Sequence, residues 1–345
     1  MHICILRNDR FIDLLSKAIN SLKVPTLILF VNFFYFDSNS VSISISQLFL
    51  VTSILSFGYL DYISRLISFK FYYIDRIRFL ISVYRFFVLV FLFSIIVVFF
   101  LKISGIINFI NDVSYFVIIA SVFLFFKVSH YNILRVLGDF KSLLKISLID
   151  ILILFLTFLF ALTVDINVLF FFIISGITSL HFHCKFFLRS KKISIKYIGD
   201  LPKGFVNFIY IVFYWFVSVY LKTYIDNHSY FIYIDIFYFL IFPITSIFIS
   251  FAHIKNNIKK YYSVHRLLIM FTLFFLVFFD VDFALLIIIL MLILVLTVEL
   301  YGVRYSLLII VSLFVALIEF RSLYISFFIL IFSLLYDFRK KNAIY

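Results

Sequence analysis

Lysine and arginine occupy every second polar loop of a chain whose remaining length is a succession of long apolar runs. Few folds can satisfy that alternation. A membrane-crossing helix needs about 20 predominantly apolar residues, with a range of about 17 to 25. Apolar runs fall at about 24–36, 41–60, 79–101, 113–128, 146–164 and 166–184. They resume at about 203–221, 229–252, 267–279, 283–300, 305–318 and 322–336. The first and the last two are short, which helices packed among others or flanked by snorkelling residues tolerate. Cytoplasmic loops retain Lys and Arg. One set of loops holds such clusters as Arg65–Arg78, Lys127–Lys145, Lys185–Lys203 and Lys255–Arg266, with cations in both tails. The opposite set holds Asp37, Asp112, Asp165, Asp226, Asp280 and Asp282, and only Lys102, Lys222 and Arg321 among the cations. The expected fold is all-α: a polytopic membrane protein of about twelve helices, with both termini in the cytoplasm.

Composition excludes the main alternative. Hydrophobic residues make up 65% of the 345 and charged residues 14%, against roughly half and a quarter in soluble domains. One soluble core could not hide that much Phe, Ile and Leu, whereas lipid can solvate it. The 53 Phe residues also reflect the codon bias of an AT-rich genome and mark apolar positions more than binding sites. The net charge of +13 follows from topology rather than from nucleic-acid binding. Cys4 and Cys184 are too few and too separated for a disulfide framework or a zinc site. The first 23 residues are charged throughout, so no cleavable signal peptide is expected. No phosphate-binding loop, zinc-protease motif or nucleophile elbow occurs, so neither an enzyme nor a bound metal or cofactor is expected.

The composition breaks once, at the basic stretch Lys185–Lys203. We divide the chain there into an N-terminal six-helix lobe (1–190), a basic cytoplasmic linker (191–202) and a C-terminal six-helix lobe (203–345). Phe49–Leu55 resembles Phe242–Phe248, each followed by a basic loop. Pro25 and Pro202 are expected to open the first helix of each half, where a missing N–H costs nothing. Two parallel repeats are a known transporter plan.

Three segments carry a family resemblance. Ser56–Arg65, Asn132–Lys141 and Gly199–Gly204 resemble, in turn, the inner end of the second helix, the Arg-x-x-Gly-x-x-Lys turn between the fourth and fifth, and the Leu-Pro entry to the seventh helix of the O-antigen flippases. These belong to the multidrug/oligosaccharidyl-lipid/polysaccharide exporter superfamily. The chain is short for that family and poor in glycine. The resemblance implies a flippase in the bacterial inner membrane that moves polyprenyl-pyrophosphate-linked oligosaccharide outward, beside polysaccharide polymerase and chain-length regulator proteins. A proton or sodium gradient would drive it.

Such a substrate needs a polar path and cations for its pyrophosphate. Charges inside membrane helices tend to face the bundle interior. Arg85, near the inner end of the third run, either lines that path or snorkels to the headgroups. Asp235 either couples transport to an ion gradient or reaches the outer surface. Asn32 and Asn207 either meet sugar hydroxyls across the lobe interface or join helix to helix. Trp215 either stacks on sugar or is one more core aromatic. Asp61 and Arg65, four apart, share a helix face and form a cytoplasmic gate or a structural pair. Arg135 and Lys141, with Asp150 nearby, flank the fourth-to-fifth turn and attract phosphate or simply brace it. His181 and His183 point to different helix faces and cannot chelate one ion. Lys102, Lys222, Glu319 and Arg321 are expected to be solvated at outer ends. Two other functions share this topology: an O-antigen polymerase, disfavoured by tiny acidic outer loops, and a small-solute or drug antiporter of the same superfamily.

Overall fold

A computed structural model describes residues 2–34, 38–56, 73–104, 113–164, 167–189 and five positions of a further helical stretch, 212, 215, 216, 219 and 222. The described part is all-helical, without strands. Six helices follow one another: α1 (His2–Phe34), α2 (Ser38–Ser56), α3 (Tyr73–Ser104), α4 (Tyr115–Leu137), α5 (Phe140–Val164) and α6 (Phe170–Arg189). Each of the first six apolar runs falls within or across one of them. Within α4 and α5, Tyr115–Arg135 and Phe140–Thr163 are long and apolar enough to cross a membrane; Ser40–Ser56 and Val88–Ser104 are shorter apolar stretches.

α4 is the hub. It packs on α6 and α2 and touches α3 and α5, while α1 lies along α5. Among the described residues the apolar interior of this bundle also buries many hydroxyls, and much of its outside is apolar. Ser46, Ser121, Ser129, Ser147 and Ser179 are fully buried, while Leu89, Phe93, Ile96 and Phe100 on α3 and Leu152, Phe155, Leu159 and Phe160 on α5 are exposed. A water-soluble bundle distributes these types the other way. In lipid there is no hydrophobic force between helices, so small residues that permit close approach take the interfaces and large apolar ones face the acyl chains. The buried hydroxyls are satisfied mostly by their own helix: Ser121 donates to the Val117 carbonyl at 2.7 Å, Ser147 to Leu143 at 2.9 Å and Thr157 to Ile153 at 2.8 Å. Ser121 also reaches the Leu48 carbonyl of α2 at 3.1 Å.

The α4–α5 hairpin turns on two residues. Ser114 caps the start of α4 by accepting the Val117 N–H, and Gly138 ends it in the left-handed conformation (φ 72°). There the Gly138 and Asp139 N–H groups close on the Arg135 and Leu134 carbonyls at 3.1 and 3.0 Å. Asp139 then caps α5 by accepting the Ser142 N–H at 3.2 Å. A Cβ at Gly138 would meet nothing within 4 Å, so only its backbone conformation resists substitution. Gly138→Ala is expected to cost about 1 kcal/mol, and Gly138→Asn less, because Asn tolerates this region better. Thermal unfolding of the two purified variants checks the order.

The start of the chain departs from expectation. Pro25 does not open a helix; α1 begins at His2 and carries Pro25 in its interior. The charged segment before Pro25 stays helical because its polar side chains find partners on other helices: Asp13 accepts from the Arg135 Nε at 3.2 Å, and Lys23 is buried against α5. Hydropathy counts only the apolar turns and so reads α1 as short.

Candidate functional site

A buried ion cluster joins α1, α4, α5 and α6. Asp150 lies in the middle of α5 and Lys127 in the middle of α4. The two-residue turn places them at one depth: Lys127 stands as many residues before Gly138 as Asp150 stands after Asp139, about 16 Å along each helix at 1.5 Å per residue. Lys127 Nζ meets Asp150 Oδ1 at 2.6 Å. Lys23 Nζ, from α1, meets Oδ2 at 2.5 Å. Tyr131 hydroxyl, one helical turn after Lys127, accepts from Lys23 at 2.8 Å and donates to Asp150 Oδ2 at 2.6 Å. Ser175 of α6 donates to Oδ1 at 2.9 Å. Both ammonium groups also lie over the Tyr131 ring, at 4.9 and 5.4 Å from its centroid.

The charge balance is uneven. Both lysines are buried, and among the described residues they share Asp150 as their one carboxylate. Among the described residues the cluster therefore holds two basic groups for one acidic group, and a buried charge left without its partner costs several kcal/mol. Arg135 stands nearby, already engaged with Asp13. The cluster forms one wall of a half-open cavity of about 240 Å³, whose other walls include Asn20, Phe49, Leu124 and Phe172. The Asn20 side-chain oxygen Oδ1 is buried with no hydrogen-bond partner among the described residues.

Comparison with known protein families, characterised proteins and solved structures gives no match. The chemistry of this site therefore rests on its own geometry.

Several anticipated residues come close to the cavity. Arg135 lines it. Trp215 stacks on Phe49, a cavity residue, with centroids 4.7 Å apart. Lys141 is exposed near the start of α5 and away from the cluster. Asn32 lies on α1 and Arg85 on α3, with side chains outside the described residues. Asp61, Arg65, Asn207 and Asp235 lie outside the described residues altogether. His181 is exposed and His183 buried, on different faces as the spacing requires. His183 Nε2 reaches the Phe126 carbonyl at 2.7 Å and Nδ1 the Tyr84 hydroxyl at 2.5 Å, binding α6 to α4 and α3. Among the described residues no group of three His, Cys, Asp or Glu side chains could hold a metal ion.

Three cations need reassignment. Lys23 and Lys127 are not loop residues but buried partners of Asp150. Lys222 is not solvated: it is buried and donates to the Ser42 and Ser46 hydroxyls at 2.7 and 2.9 Å. In each case the loop-charge rule assigned to the membrane surface a charge that the fold satisfies inside. Intramembrane charges are expensive and functional by default, and that principle was the available signal for the Lys127–Asp150 pair.

Proposed function

We propose that the chain is a flippase of the bacterial inner membrane that carries a polyprenyl-pyrophosphate-linked oligosaccharide from the inner to the outer leaflet. The observation that carries this reading is the placing of two buried lysines, Lys23 and Lys127, on the single carboxylate of Asp150 beside a half-open cavity. A phosphate oxygen arriving there would share the two lysine Nζ groups with Asp150, each Nζ having more than one hydrogen to donate. The Phe49–Trp215 stack beside the cavity offers an apolar face of the kind that sugar rings pack against. The many buried serines, with large apolar side chains exposed along α3 and α5, support a lipid environment.

In this proposal the chain crosses the membrane about twelve times, as two six-helix lobes with both termini in the cytoplasm. The lobes rock about a central path, inward-open to load and outward-open to release. The polyprenyl tail stays in lipid. Surface polymer and lipid-linked intermediates in a strain deleted for the gene test it. Complete single repeat units accumulating on the inner leaflet, with no displayed polymer, are expected. Single units reaching the outer face without extension would indicate a polymerase instead, and unchanged polymer would leave a solute antiporter.

A further inference from the structure

A second cleft lies on two of the four helices that the ion cluster joins. It measures about 160 Å³, runs along the seam of α5 and α6, and is lined by Ile153, Leu156, Thr157, Phe160, Phe170 and Ile174. Ile153 and Thr157 form its buried floor, while Leu156, Phe160, Phe170 and Ile174 are exposed and form its rim. Thr157 directs its hydroxyl to the Ile153 carbonyl, so the lining is apolar. A dry cavity of about 150 Å³ accepts benzene, so this cleft has room for roughly one five-carbon branched unit of a hydrocarbon chain.

Its position relative to the charges carries the inference. Ile153 follows Asp150 by one turn of α5, and Ile174 directly precedes Ser175 on α6. The Ser175–Asp150 hydrogen bond, at 2.9 Å, therefore marks the border between the cationic cavity and the apolar cleft. On α6, Phe170 and Ile174 line the cleft, whereas Phe171, Phe172 and Ser175 line the cavity. Cavity and cleft thus lie on either side of the Ser175–Asp150 hydrogen bond.

We infer that a single-chain phosphate-headed lipid binds here, with its phosphate at Lys127 of α4 and Lys23 of α1 and one branched unit of its chain in the α5–α6 cleft. The inference rests on the flippase reading for its substrate class and adds the site where the tail is held. Bilayer interior is as apolar as the cleft, so the cleft alone would not concentrate a chain. A headgroup held one turn away makes chain docking an intramolecular event, and that selects this seam over every other lipid-facing groove. A branched single chain fits where the paired chains of a bilayer phospholipid do not.

The test uses the full-length protein in phosphatidylcholine nanodiscs and a farnesyl phosphate bearing a photoactivatable diazirine in its second isoprene unit. Labelled peptides are mapped by mass spectrometry. About tenfold enrichment of label on α5–α6 over the exposed face of α3 is expected, well below the ~100-fold that tethering can give. Ile174→Trp, which fills the cleft from its rim, should remove the enrichment. Leu152→Trp, elsewhere on the exposed face of α5, should leave it. Farnesol carrying the same diazirine should label α3 and α5 evenly. Even labelling by the phosphate probe, or equal enrichment with farnesol or with a diazirine-bearing two-chain anionic phospholipid, would overturn the inference. Enrichment in a protein that moves no lipid-linked oligosaccharide in vesicles would remove the flippase reading and leave the seam. Transport with label placed elsewhere would do the reverse.

Discussion

Replacing Asp150 by leucine is expected to destabilise the protein by about 3–5 kcal/mol, the cost of leaving buried charges without their partner. Lys23 and Lys127 would lose the carboxylate they share and face each other across the Tyr131 ring. The loss should appear as a fall in unfolding temperature and in the yield of monodisperse protein. The informative companion is the triple variant Lys23→Met, Lys127→Met, Asp150→Leu. It removes every charge of the cluster and keeps most of its volume, and such replacements are often neutral or stabilising. Recovered stability with no restoration of surface polymer in the deletion strain would mean that the cluster serves transport. Recovered stability with full restoration would reduce it to a structural bridge and sink the functional reading.

The second large effect concerns Gly176. A Cβ built there would lie 2.4 Å from the Phe123 carbonyl oxygen and 2.5 Å from the Phe123 Cβ. The obstacle includes backbone, so a side-chain rotation cannot relieve it. Gly176→Val is expected to force α6 off α4 and cost about 1–3 kcal/mol or more, the range for overpacking a close-packed interface. The damage would reach the site, because Ser175, the residue before it, holds Asp150, and Ser179, one turn on, contacts His130 at 3.1 Å. Gly176→Ala should show the same sign with a smaller amplitude. Unfolding temperatures of the two variants, compared with that of Gly138→Ala, separate this steric demand from a purely conformational one.

How much of this was legible beforehand depended on how local each signal was. The succession of apolar runs located all six described helices, because membrane-length runs advertise themselves without tertiary information. The α4–α5 turn was legible from Gly138, whose left-handed backbone serves the helix end it marks. The extent of α1 was not legible, since its first two-thirds are held by partners on other helices and carry little hydropathy of their own. The cluster itself was hidden by separation. Lys23 and Asp150 lie on the first and fifth helices, beyond the reach of any helical-spacing rule. Lys127 sat where a cytoplasmic loop was expected, so topology bookkeeping absorbed it. Trp215 was visible only as one aromatic among many; its contact with Phe49 needed the fold. The function proposed for the cavity draws its substrate class from the family resemblance and its charge argument from the structure, and each is tested separately above.

In the membrane reading proposed above, the symmetric placing of Lys127 and Asp150 about their turn also bears on how the chain inserts. During synthesis α4 emerges first, carrying a lysine at its centre, and a lone central lysine or aspartate costs about 2.5–3.5 kcal/mol on the insertion scale. Neither helix is well suited to partition by itself. Once the two-residue turn has formed, α5 brings its carboxylate to the same level, and the hairpin presents the lipid with a neutralised pair. The turn thus acts as a gauge during biogenesis. One residue added to either arm between the turn and the pair would rotate one partner by about 100° and shift it by 1.5 Å, turning a matched hairpin into two ill-matched helices before the segments that follow are made.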